Sequence, residues 1–65
     1  MMIRINGTDM DLPQMTLAEY LATTTYNTSR IAVEVNGEIV PKAQYPSAML
    51  KHGDIVEIVS FVGGG

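Results

Sequence analysis

A chain of 65 residues with 46% apolar side chains and a formal charge of −3 has room for one domain, near the lower limit for folding on a hydrophobic core alone. Without cysteine it has neither disulfides nor thiolate metal ligands, and it cannot carry sulfur on a thiol of its own. Its bases, Arg4, Arg30, Lys42 and Lys51, are scattered, which excludes the basic stripe of a nucleic-acid binder; no stretch approaches the ~20 apolar residues of a membrane span.

The N-terminal "MMIRINGTDM" lacks an apolar signal stretch and a small-residue cleavage site, so a soluble, cytoplasmic protein is expected. Within it "MIRI" alternates, with Ile3 and Ile5 on one face and Arg4 on the other. Asn6-Gly7 follows, a pair that tolerates the positive φ of a type I′ turn. "TDMDL" alternates again, placing Met10 and Leu12 inward and Asp9 and Asp11 outward, so a first hairpin is expected. Pro13 closes it.

Thr16 and Glu19 make the T-x-x-E capping box that opens a helix, with Met15 and Tyr20 spaced for a hydrophobic staple. Leu17, Tyr20 and Leu21 share one helical face. The β-branched run Thr23-Thr24-Thr25 frays the helix out, and a polar loop reaches Arg30. "IAVEV" at 31–35 sets Ile31, Val33 and Val35 on one face; Asn36-Gly37 turns it into the short strand "EIV", closed by Pro41. Residues 42–49 read as a helical turn and loop, and "HGD" at 52–54 as a turn. "IVEIVSFV" at 55–62 is almost continuously apolar, as expected of a strand at the middle of a sheet covered on much of both faces.

This order gives an α+β fold. The first and last strands lie parallel at the centre of a mixed sheet of about five strands, and the helix crosses one face. That is the β-grasp, or ubiquitin-like, arrangement, over residues 1–62. Residues 63–65 are then a flexible glycine tail. Three glycines carry a large entropy cost of ordering and contribute nothing to a core, so the tail calls for a use in which a thin chain end matters.

"VNGEIVP" (35–41), "HGDIVEIVSFVGGG" (52–65) and the N-terminal hairpin resemble the sulfur carrier protein of thiamine biosynthesis, over essentially the whole chain. The small subunit of molybdopterin synthase shares the chemistry, but "SFVGGG" has no proline before its glycines and the chain is short, which favours the thiamine branch. The resemblance implies that the carboxylate of Gly65 is adenylated by an activating enzyme and converted to a thiocarboxylate. Its sulfur would be delivered to form the thiazole of thiamine. The implied partners are that activating enzyme, a sulfur-donating enzyme and a thiazole synthase. ATP with Mg would be used by the activating enzyme, and no cofactor by this chain. Gly63 and Gly64, lacking a Cβ, would thread the partner's active site.

The residues themselves offer no catalytic set, no metal site and no P-loop. His52, beside a turn glycine, reads as plain surface, and Asp54 as a turn-ordering side chain. Asp9, Asp11, Glu34 and Glu38 read as solubilising or edge-guarding charges. If Val56 and Ile58 face the helix, then Ile55, Glu57, Val59 and Phe61 face away. Val59, Phe61 and Val62 are therefore the expected partner surface, the alternative being that loop 42–50 folds over them as core. Three further readings stay open: a tRNA-thiolation carrier, a protein-conjugating modifier, and a β-grasp binding module with no terminal chemistry. A chain that ends naturally at Gly65 speaks against the last.

Overall fold

The computed structural model describes residues 1–61. Five strands form one mixed sheet in the order β2-β1-β5-β3-β4, where β1 is Met2–Ile5, β2 Thr8–Asp11, β3 Ile31–Val35, β4 Glu38–Ile39 and β5 Ile55–Ser60. β1 and β5 are parallel, while β1–β2, β3–β4 and β3–β5 are antiparallel. Both hairpins turn on Asn-Gly pairs with positive φ: 50° and 81° at Asn6 and Gly7, 53° and 83° at Asn36 and Gly37. These values suit a type I′ turn, whose twist matches that of the strands it joins.

Helix α1, Leu17–Ala22, is only six residues long, so its termini decide whether it forms. All four leading N–H groups are satisfied. Thr16 N–H donates to Glu19 Oε1 at 2.9 Å and Glu19 N–H to Thr16 Oγ1 at 3.1 Å, completing the capping box. Leu17 and Ala18 donate to the carbonyls of Ala48 and Tyr45 at 2.8 and 3.0 Å, which ties segment 42–50 to the start of the helix. At the other end the hydroxyls of Thr23 and Thr24 each donate at 2.7 Å to the carbonyls of Tyr20 and Leu21. These bonds compete with continuation of the helix, giving the threonine run its effect.

The core lies between α1 and one sheet face. Leu17, Tyr20 and Leu21 meet Ile3 and Ile5 from β1, Val56 and Ile58 from β5, and Ile31 and Val33 from β3, with Tyr45 and Leu50 closing the side. Met10, Leu12, Met15 and Val35 pack against it half-buried.

Three expectations change. The segment before β3 is not wholly irregular, since Thr28–Arg30 form a 3₁₀ turn capped by the Asn27 side chain. The last strand stops at Ser60 rather than residue 62, because its antiparallel ladder with β3 begins at Ile31↔Ser60, where β3 itself starts. And β5 is central but not covered on both faces: Val56 and Ile58 are buried, whereas Ile55, Glu57 and Val59 are exposed. One six-residue helix covers one face of this sheet, so the apolar run in β5 reports a central strand with an open side.

Candidate functional site

The two hairpin asparagines do more than turn the chain. Strand pairing between β1 and β5 spans only Arg4↔Ile55 and Ile5↔Val56. Beyond it the Asn6 side chain takes the place of a neighbouring strand: Oδ1 accepts from Ile58 N–H at 2.7 Å and Nδ2 donates to Ile58 C=O at 3.2 Å. On the other side Asn36 Oδ1 accepts from Ile55 N–H at 3.0 Å, and its Nδ2 donates to Asp54 at 2.9 Å. Asp54 also accepts from Lys51 N–H at 2.8 Å, so the expected turn-ordering role holds and extends to the second hairpin. β5 is thus clamped along its length by side chains that local turn chemistry had already required. The Phe61 N–H donates to Arg30 C=O at 2.7 Å, which fixes the chain as it leaves the sheet.

The strand so held exposes apolar side chains. Val59 and Phe61 are 56% and 54% exposed, Ile55 is 48% exposed, and Ile39 on β4 adds an apolar side chain 70% exposed. Glu34 pairs with both Ile39 and Glu57, which places Ile39 on the same open face. Segment 42–50 does not cover these residues; it packs on the helix side, where Tyr45 and Leu50 are buried. Val62, Gly63, Gly64 and Gly65 lie outside the described residues.

The polar residues offer little chemistry. Arg4 Nε donates to Asp9 Oδ1 at 2.8 Å, and that hydrogen bond, with the attraction of the two charges, holds Asp9 below the ordinary carboxylate value. His52 is exposed, but not without a partner: its Nδ1 accepts from Met2 N–H at 3.0 Å, pinning the 52–54 turn to β1. Burial raises the phenols of Tyr20 and Tyr45, both core residues. Among the described residues no three His, Cys, Asp or Glu side chains group as a metal site, and no helix is long and apolar enough to cross a membrane. What the arrangement provides is a side-chain-clamped strand and an open apolar face on it, with Phe61 directly after the strand.

The model of the ThiS family matches residues 3–65. The sulfur carrier protein ThiS of Bacillus subtilis is 36% identical over 66 residues, covering 98% of this chain and 100% of that protein. A thiazole synthase of Paramagnetospirillum magneticum is 39% identical over 66 residues; the match takes in 100% of this chain but only 20% of that protein. The chain therefore spans one fifth of that relative's length. The crystal structure of the thiamine biosynthesis protein ThiS from Geobacter metallireducens superposes with a TM-score of 0.84 at 29% identity, over 100% of both chains.

Proposed function

The chain belongs to the ThiS family and is a sulfur carrier of thiamine biosynthesis, and from that premise we propose that the carrying atom is the terminal carbon of Gly65. A carboxylate is a poor acyl donor. Attack of its oxygen on the α-phosphorus of ATP, with loss of pyrophosphate, gives an acyl-adenylate. Hydrosulfide released by a donor enzyme then adds to the acyl carbon, its proton is lost to solvent and AMP leaves, so Gly65 ends in a thiocarboxylate. ATP and Mg belong to the activating enzyme in this scheme, and the carrier is a co-substrate rather than a catalyst. Its own part is to dock, and to present an unbranched chain end whose carbonyl carbon is unhindered.

The observation that carries this reading is the continuity of the open apolar face on β5 with the glycine end. Ile55 and Val59 lie on β5, Phe61 follows it, and residues 62–65 come next in the sequence, so an enzyme that grips the strand receives the tail. The P. magneticum relative, a thiazole synthase in which a similar stretch makes up 20% of the protein, supports a thiazole synthase as the enzyme that takes the sulfur. All these steps need ATP and a reduced sulfur source, which makes the cytoplasm the compartment of choice. The test is an ATP–pyrophosphate exchange assay with the activating enzyme: exchange should need the full chain and vanish when Gly65 is deleted. Exchange that persists without Gly65 would move the chemistry elsewhere.

A further inference from the structure

The two Asn-Gly pairs have a reactivity that turning the chain does not use. The backbone nitrogen that follows an asparagine can attack the carboxamide carbon, and glycine, lacking a side chain, shields that nitrogen least. Both turns leave it open. A Cβ at Gly7 or Gly37 would meet nothing within 4 Å, and among the described residues neither glycine N–H makes a turn hydrogen bond. The two carboxamides differ in how firmly they are held. Asn6 accepts from Ile58 N–H at 2.7 Å and donates to Ile58 C=O at 3.2 Å and to the Tyr26 hydroxyl at 3.3 Å, the bonds to Ile58 being partly buried. Asn36 accepts from Ile55 N–H at 3.0 Å and donates to Asp54 Oδ1 at 2.9 Å, and both of these bonds are exposed.

We propose that Asn36 is a site of spontaneous hydrolytic modification that deamidates ahead of Asn6, and that its conversion releases the start of β5 from the β3–β4 hairpin. The inference is independent of where the sulfur is carried. The Gly37 nitrogen gives its proton to hydroxide and bonds to Cγ of Asn36. The Cγ–Nδ2 bond breaks and Nδ2 leaves as ammonia with a proton from water, closing a succinimide ring. Water then adds at Cγ to give aspartate, or at the backbone carbonyl carbon to give isoaspartate. No oxidant or reductant is needed. To react, each carboxamide must first leave its partners and turn towards the glycine nitrogen. Asn6 has one more bond to break and a less exposed setting, which slows it roughly five- to tenfold relative to Asn36. Conversion inverts the contact with Asp54. Aspartate has no N–H to donate, so two carboxylates stand where a hydrogen bond tied Asn36 to the residue before β5. Isoaspartate also adds a methylene to the backbone of the turn between Val35 and Glu38, which fixes the register of β4.

The experiment holds the full wild-type chain in mildly alkaline buffer made with heavy-oxygen water. Peptide mapping that separates aspartate from isoaspartate then follows label at each asparagine. Label should enter at residue 36 roughly five to ten times faster than at residue 6. Asp54→Ala removes one partner of the Asn36 carboxamide, so it should speed conversion at 36 and leave the ratio of residue 6 to wild type unchanged. The comparison within wild type does not depend on that variant folding. Thermal melts test the consequence: Asn36→Asp at neutral pH should lower Tm by about 5 °C. Equal rates at the two asparagines would place the reaction in the globally unfolded chain and overturn the proposal. Faster conversion of Asn6 would overturn it as well, as would an intact Asn36 after a free peptide of residues 34–39 has been consumed. An Asn36→Asp variant as stable as wild type would overturn the release of β5.

Discussion

Val33 and Val59 provide the same side chain on adjacent central strands, turned to opposite faces. Val33 is 0% exposed among the core side chains and Val59 is 56% exposed on the open face. Truncation to alanine removes two carbons from each, worth about 1.6 kcal/mol when fully buried. At Val33 the cavity left under α1 adds to this, for a total of about 2–2.5 kcal/mol. In a domain of this size that lowers Tm by roughly 10–15 °C. At Val59 less than half the side chain is buried in the free protein, so the folding cost is about 0.7 kcal/mol. The exposed remainder is buried only when a partner covers it. Losing it weakens docking by about 0.9 kcal/mol, roughly fivefold in the KM for adenylation. Paired melts and adenylation kinetics on Val33→Ala and Val59→Ala check this, with the kinetics run well below either Tm. The expected pattern is crossed: a large Tm loss with unchanged KM for the first, a small Tm loss with raised KM for the second. Equal Tm losses would show that the open face is core. An unchanged KM for Val59→Ala would show that the partner does not rest on it.

Asn6→Gly keeps a residue that accepts the positive φ of the turn but deletes the side chain bonded to both backbone groups of Ile58. It should cost about 1–2 kcal/mol in urea unfolding, with faster amide exchange at Ile58; unchanged exchange there would refute the clamp. Thr16→Ala opens the capping box of a helix with only six residues and should cost about 1 kcal/mol by the same assay, with retention of full stability counting against the cap as a determinant. Burial, with a smaller contribution from Tyr26 at Tyr20, raises the phenols of Tyr20 and Tyr45 above the ordinary 10.0. A raised folded pKa means the native state holds the proton more tightly. That stability is complete below about pH 10 and lost as pH climbs through the higher folded values. Denaturant unfolding between pH 9 and 12 should show this decline, and Tyr45→Phe should make it shallower; an identical decline in the variant would reject burial of Tyr45 as its cause.

Local chemistry made most of the architecture legible. Two Asn-Gly pairs, one capping box and period-two alternation at Ile3/Ile5, Ile31/Val33 and Val56/Ile58 specify hairpin, helix and hairpin, and a sheet with one helix has few ways to close. The same alternation separated Val59 and Phe61 from the core. Harder to read were features that depend on what the chain meets in space. The end of β5 at Ser60 depends on where β3 begins. The Asn6 and Asn36 clamps were hidden because turn geometry alone accounts for asparagine there. Ile39, with 70% exposure, lies in a strand of two residues, too short for its facing to be read from pattern. Glu34 and Glu57 are 23 positions apart in the chain, and only the register makes them neighbours. Residues 42–50 carry no strong periodicity, so nothing in their sequence shows that they close the helix N-terminus instead of the open face.

The central claim is that sulfur travels on the carboxyl carbon of Gly65. Intact-mass spectrometry of the full chain, after incubation with the activating enzyme, ATP and a sulfide source, addresses it directly. The account predicts a mass gain equal to exchange of one oxygen for sulfur, localised to the C-terminal peptide and absent from a chain lacking Gly65. No gain, with the same enzyme active on the B. subtilis carrier, or a gain that survives loss of Gly65, would contradict it.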